Sequence, residues 1–297
     1  MDRFKEIKKF AAIDIGSNAV RLLISNIIFI ENYPPEATKN ALVRVPIRLG
    51  QDAFTNGIIS EKNISRLVDS MNSFKLLMKI HKVDKYLAYA TSALRNSSNG
   101  SEIINIVKSK TNISVEIING FKEGSLITKN KLFNNGDVFC FIDVGGGSTE
   151  LTISKNGKIL KSKSFKIGGV RLINNLVNKK TWNTFRLWII NNIRIYENVR
   201  VIGLGGNINK IYKISEIKIG SPLSSKKLNS TILKIEKMSN IDKSLILKLN
   251  PDRLDVIVPS GKIYLMLLNL INKNQIEVPK IGLTDGMVSE LVNNLQS

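Results

Sequence analysis

Residues 139–154 read FCFIDVGGGSTELTIS, and the fold turns on how they are read. An apolar run, 138–142, closes on an acid, Asp143. Gly145, Gly146 and Gly147 follow, then Ser148, Thr149, a second acid, Glu150, and another apolar run. Apolar runs bounded by glycine predict two strands joined by a turn. With no Cβ in the way, successive backbone N–H groups can converge on an anion. Two carboxylates flanking such a turn suit a hard cation that bridges to phosphate oxygens. Taken alone, the stretch predicts a phosphate site with Mg²⁺.

The pattern occurs a second time. Residues 10–25 read FAAIDIGSNAVRLLIS. Laid on 139–154 without gaps, they match at Phe, Ile, Asp, Gly, Leu, Ile and Ser, with Asp14 on Asp143, Gly16 on Gly145 and Arg21 on Glu150. A motif present twice points to two related domains rather than a solenoid. A ligand is then expected between the two turns, at a domain interface.

Composition is consistent with this. The 297 residues suffice for two domains, and 43% hydrophobic content supports packed cores. The single cysteine, Cys140, lies in an apolar run, so disulfides are excluded and a reducing cytoplasm is expected. MDRFKEIKKF lacks the apolar segment of a signal peptide, and no run reaches the ~20 residues of a bilayer span. The net charge is +20, from 44 Lys and Arg against 24 Asp and Glu. That balance favours a polyanionic partner, although a Lys-, Asn- and Ile-rich composition accounts for part of it. No acid occurs in 151–196, where ten Lys and Arg do.

Along the chain, strands are expected at 10–29 as a hairpin, then at 43–49, 86–90, 114–118, 158–167, 201–204 and 281–283. Helices are expected after Ser60, near 101–110, from about Lys122, through 172–177, over 182–196 and from Met287 to Leu295. Strands and helices alternate, which gives an α/β class. No Gly-Lys-Ser/Thr occurs, so the Walker phosphate loop is absent. The dinucleotide fingerprint fails at Gly145, where Glu150 takes its third glycine position, and at Gly203, where Ile208 does.

Seven blocks, in order, resemble the Ppx/GppA phosphatases, the exopolyphosphatase and guanosine pentaphosphate phosphohydrolase family. They are AAIDIGSNAVRLLI (11–24), ATSALRN (90–96), IINGFKEG (117–124), FIDVGGGSTEL (141–151), KIGGVRL (166–172), IGLGGN (202–207) and LTDG (283–286). The resemblance implies two ribonuclease-H-like domains of the actin-like ATPase superfold, facing an interdomain cleft. It puts 1–125 in the first, 126–286 in the second, and sends the helix 287–297 back to the first. It also implies the short form of the family, without an added helical domain.

Roles follow from the same resemblance. Glu123 matches the base that activates water, and Glu150 acts beside it in catalysis. Asp14, Asp143 and Glu150 match carboxylates around Mg²⁺, with Mn²⁺ as an alternative. Ser17, Asn18, Arg95, Gly145, Gly146, Gly147 and Ser148 match phosphate-binding positions. The implied reaction releases orthophosphate from inorganic polyphosphate or from pppGpp (guanosine pentaphosphate). Such chemistry needs a carboxylate to take a proton from water, and donors to absorb phosphoryl charge. Two departures stand out: Lys122 replaces an acid beside the base, and Ser125 replaces an arginine.

Two other classes remain as alternatives. A phosphate or alarmone sensor without turnover would fit the altered 121–125 neighbourhood. A nucleic-acid binder would rest on charge alone, with no base-reading motif and 6% aromatics. No membrane partner is expected. A homodimer is compatible with the sequence, which carries no motif that decides it.

Overall fold

The structure is a computed structural model that describes residues 4–295. Residues 1–3, the start of the MDRFKEIKKF segment, and residues 296–297 of the expected 287–297 helix lie outside the described residues.

In chain order the elements are β1 (Phe4–Ile15), β2 (Val20–Ile30), β3 (Glu36–Val45), α1 (Leu49–Thr55), α2 (Glu61–Ile80), β4 (Lys85–Ala90), α3 (Ser92–Asn96), α4 (Gly100–Thr111), β5 (Glu116–Ile117) and α5 (Gly120–Thr128). Then come β6 (Val138–Val144), β7 (Thr149–Lys155), β8 (Lys158–Phe165), α6 (Gly169–Ile173), α7 (Lys179–Asn192), β9 (Arg200–Leu204), α8 (Gly206–Ile214), β10 (Leu223–Ser224), α9 (Ser225–Lys237), α10 (Asn240–Leu245), α11 (Ile257–Leu270), β11 (Gln275–Ile276) and α12 (Leu283–Asn293). Two compact units result: Met1–Ile127 with Leu283–Ser297, and Thr128–Gly282.

In the first unit the sheet order is β3-β2-β1-β4-β5. β1, β2 and β3 form an antiparallel meander, and β4 joins β1 in parallel. Both faces of β1 are covered. Phe10 and Ala12 face a cluster with Leu23, Leu126, Met287 and Leu291. Ala11 and Ile13, which alternate with them along the pleat, are equally buried. This is why the stretch reads as continuous apolar sequence rather than as an alternation. In α12, Leu283, Met287 and Leu291 recur every four residues and form the stripe that closes this core.

The second unit repeats the plan, with order β8-β7-β6-β9. β6, β7 and β8 form the meander and β9 joins β6 in parallel. The fifth place is taken by a single parallel bridge between Ile202 and Glu277. The two units thus share the ribonuclease-H-like strand arrangement. Cys140 is fully buried in the core beside Phe185, Ile189 and Leu267. Phe133 meets Phe139 and Phe141 edge-on, with centroids 5.2 and 4.7 Å away. A two-residue turn joins β7 to β8, with Asn156 at φ 50° and Gly157 at φ 71°, the left-handed pair that a tight hairpin requires.

Several expected elements differ. No strand forms at 281–283, because Leu283 is already the first turn of α12 and packs into the first core. β3 ends at Val45, and Leu49 begins α1. The 114–118 strand shortens to two residues. α6 ends at Ile173, and α7 begins three residues before Trp182 because the Asn178 side chain caps it by accepting from Thr181 N–H. Ser60 precedes α2 as expected but caps nothing with its side chain, since its hydroxyl donates to Asp52.

Candidate active site

The internal repeat holds at the level of hydrogen bonds. Gly16 N–H donates to the Ala19 carbonyl at 3.2 Å, and Gly145 N–H donates to the Ser148 carbonyl at 2.9 Å. Both turns are therefore closed by the same bond at matching positions. Asp14 stands opposite Arg21 across β1 and β2, and Asp143 stands opposite Glu150 across β6 and β7. The chemistry then diverges. In the first unit a carboxylate faces a cation; in the second, two acids face one another.

In the first unit, Arg21 donates to Asp14 at 2.9 Å. Asp14 is buried, and burial raises its pKa above the ordinary carboxylate value, with the Arg21 charge and hydrogen bond pulling the other way. The turn itself is braced. Ser17 and Ser92 share a hydroxyl hydrogen bond of 2.8 Å. Arg48 N–H donates to the Asn18 carbonyl, and Gly50 N–H to that of Ser17. A Cβ on Gly50 would stand 2.8 Å from the Ser17 Cβ, so only glycine allows that approach. Neither Arg48 nor Gly50 was singled out by the sequence reading. The RLG run at 48–50 carries the signal, but the contact it serves is long-range.

Arg95 lies on α3 and Glu123 in the first turn of α5. Arg95 donates to Glu123 Oε1 at 2.9 Å and to the Ile118 carbonyl at 2.5 Å. Both side chains are mostly shielded, at 24% and 14% exposure. The candidate base and the candidate phosphate grip, 28 residues apart, are thus brought into direct contact. Lys122, next to the base, pairs with Glu290 of α12.

In the second unit, the glycine turn is held from beneath by α6. The N–H groups of Gly169 and Val170 donate to the carbonyls of Gly145 and Gly146, and Arg171 Nε donates to that of Gly147. This approach requires Gly168, where a Cβ would lie 2.5 Å from the Gly146 carbonyl oxygen. Thr149 donates to the Ile167 carbonyl at 2.7 Å. The KIGGVRL block is therefore the support of the turn. With the carbonyls turned to α6, the N–H groups of Gly146 and Gly147 have no backbone acceptor among the described residues.

Glu150 accepts a hydrogen bond from Ser164 at 2.8 Å, donated from the next strand. Asp143 lies against Gly205, where a Cβ would stand 2.7 Å from its Oδ1 and where φ is +99°. Gly205 therefore keeps space open beside that carboxylate. Tyr264 accepts from Val144 N–H and donates to the Leu204 carbonyl, which ties β6 to β9 at their ends. Burial and the Asp143 charge raise the Tyr264 phenol well above its usual value.

The two acids suit a divalent cation of the kind that takes one or two protein carboxylates and completes its shell with water and phosphate oxygens. The open space at Gly205 fits that mode. Among the described residues no three acids, histidines or cysteines converge, so the protein alone offers no closed metal cage. Asp14 fits a cation less well, because Arg21 occupies its carboxylate.

Known proteins resemble this chain over most of its length. The Ppx/GppA phosphatase family profile matches residues 42–295. The chain belongs to that family. This Ppx/GppA chain is 29% identical to the bifunctional 3-dehydroquinate synthase/phosphatase of Fusobacterium nucleatum, with 99% of the chain aligned but only 48% of that protein's length. It is 22% identical to a putative exopolyphosphatase of Haemophilus influenzae, over 98% of the chain and 93% of that protein. Among solved structures, an exopolyphosphatase from Cytophaga hutchinsonii superposes with a TM-score of 0.81 at 25% identity, covering 97% of this chain and 98% of the other. The Aquifex aeolicus Ppx/GppA family member gives 0.77 at 24% identity, covering 98% and 100%, and supports the shared fold. Among the described residues no helix of the Ppx/GppA chain is long and apolar enough to cross a membrane.

Proposed function

We propose that the chain hydrolyses a terminal phosphoanhydride, releasing orthophosphate from inorganic polyphosphate or from pppGpp. The observation that carries the reading is the Arg95–Glu123 contact at 2.9 Å, in a chain of the Ppx/GppA family. Relatives named exopolyphosphatase support polyphosphate as the substrate class.

In this reading Glu123 orients a water and accepts its proton as the water oxygen bonds to the terminal phosphorus. The bridging P–O bond breaks, and the shortened chain leaves with the bonding electrons. Arg95 turns its guanidinium to the phosphoryl oxygens, where two N–H groups can bind at once. Backbone N–H groups of the turns at Ser17–Asn18 and Gly145–Ser148 absorb further charge. Asp143 and Glu150 would hold Mg²⁺ or Mn²⁺, which when bound neutralises phosphate charge. Asp14 takes part in that role only if Arg21 moves to phosphate.

Phosphate release from long-chain polyphosphate and from pppGpp, with Mg²⁺ present, tests the reading. Wild type releases phosphate from at least one, and Glu123→Gln loses it. Release from neither rejects the reading, and a fully active Glu123→Gln rejects the base.

One observation favours a second reading, a sensor that binds without turnover. The residue beside Glu123 is a lysine, Lys122, held by Glu290. Tight pppGpp binding with no hydrolysis would select it.

A further inference from the structure

Two helices of the first unit meet in a fixed register. On α12, Gly286 presses on α5 so closely that a Cβ there would stand 2.5 Å from the Leu126 carbonyl oxygen. One turn further along α12, Glu290 pairs with Lys122, one turn earlier on α5. The numbers rise on one helix as they fall on the other, so the helices run antiparallel. A backbone contact and an ion pair lock them one turn apart.

Glu290 does more than pair with Lys122. Its second carboxylate oxygen accepts the Tyr89 hydroxyl at 3.0 Å. The Lys122 ammonium lies 5.8 Å from the centre of the Tyr89 ring, within reach of its π face. Tyr89 is the penultimate residue of β4, the strand that runs into α3 and Arg95. One carboxylate therefore ties down both the helix that carries Glu123 and the strand that delivers Arg95.

We propose that Glu290 is a positioning residue for Glu123, acting through Lys122; the proposal rests on the functional reading above. Residues 122 and 123 are adjacent in the first turn of α5, so their side chains diverge by about 100° around the helix axis. Drawing Lys122 towards α12 fixes the rotation of that turn and presents Glu123 to Arg95. The pair is partly shielded, with side-chain exposures of 36% and 19%, so it holds more firmly than a fully solvated one. It also accounts for the lysine beside the base. An acid at 122 would face Glu290 with like charge, whereas a cation completes the tie.

The test compares wild type, Glu290→Gln, Lys122→Glu and the exchange Lys122→Glu/Glu290→Lys. Three quantities are read: kcat and KM on whichever of polyphosphate and pppGpp wild type hydrolyses, and hydrogen exchange of the amides of residues 120–128. A misplaced base lowers kcat, so Glu290→Gln is expected to lose about 10-fold in kcat with KM within about twofold. Its α5 amides exchange faster. The double exchange returns kcat to within about threefold of wild type and restores exchange protection. Unchanged kcat and exchange in Glu290→Gln would overturn the proposal. So would a folded double exchange no better than its single variants. If wild type hydrolyses neither substrate, the functional reading fails by itself. The role of Glu290 is then decided by exchange: faster in Glu290→Gln and restored in the double variant supports it, and no change overturns it.

Discussion

Arg95 and Glu123 hold one another at 2.9 Å across 28 residues of sequence. A group suited to bind phosphate and a group suited to deprotonate water cannot both work while bonded to each other. In the proposed reaction, incoming phosphate competes for the guanidinium, and its arrival releases the carboxylate. Binding and activation of the base then become one event.

Arg95→Ala is therefore expected to fail twice, with weaker phosphate binding and a base no longer placed. A loss of about 100-fold or more in kcat/KM is expected, in line with the removal of one charge-stabilising donor. Arg95→Lys, which keeps the charge but not the fork, recovers part of it. Steady-state phosphate release from all three proteins measures the order.

Ser164 donates to Glu150, a candidate cation ligand. Ser164→Ala should leave the fold intact and raise the Mg²⁺ concentration for half-maximal activity by about 10-fold, as loss of a ligand's outer partner does elsewhere. A Mg²⁺ titration of activity reads this directly. An unchanged half-maximum would detach Glu150 from the metal.

Gly168 supports the glycine turn from behind, at an extended φ of −161° that any residue can adopt, so its constraint is space alone. Gly168→Ala drives a methyl group into the Gly146–Gly147 backbone. About 1–3 kcal/mol of stability should be lost, as in other overpacked sites, with turnover falling further than stability. Denaturant unfolding and phosphate release separate the two effects.

Burial raises the Asp14 carboxyl above its unfolded value. The sign follows from linkage: folding favours the protonated form. Its stabilising contribution is full below the unfolded pKa and is lost as pH rises through the folded one. Asp14→Asn should therefore melt higher than wild type near pH 7, with the gap narrowing towards pH 4. A gap that widens on acidification would reverse the assignment.

Burial pushes the Cys140 thiol up to about 12. It should not react with a thiol reagent at pH 8 in the folded protein, and should yield one equivalent once the chain is unfolded. A fast native reaction would place Cys140 outside the core.

Most of the fold could be read from residues alone. The gapless match of 10–25 to 139–154 carries over to strand register, because register is fixed where both faces of a strand are buried. The facing placement of Asp143 and Glu150 beside the glycine turn was legible because all of them lie in one local hairpin. The support from Gly168 was present in the KIGGVRL block, but its purpose depends on a backbone approach that no spacing encodes. Arg48, Gly50, Ser164 and Tyr264 were not legible, since each acts through a partner brought near only by folding. The 281–283 strand was misread because three apolar residues fit the first turn of a buried helix as well as a strand.

The chain leaves the first unit at Ile127 and re-enters it at Leu283. On a ribosome these events are separated by the synthesis of 155 residues, 128–282. The second unit is continuous and can close as soon as it emerges. The first must wait with Phe10, Leu23 and Tyr89 uncovered, because Met287 and Leu291 complete their cluster. Its last helix also brings Glu290. A product that stopped before residue 283 would carry Arg95, Glu123, Asp143 and Glu150 and still lack the helix that closes the first core and carries Glu290.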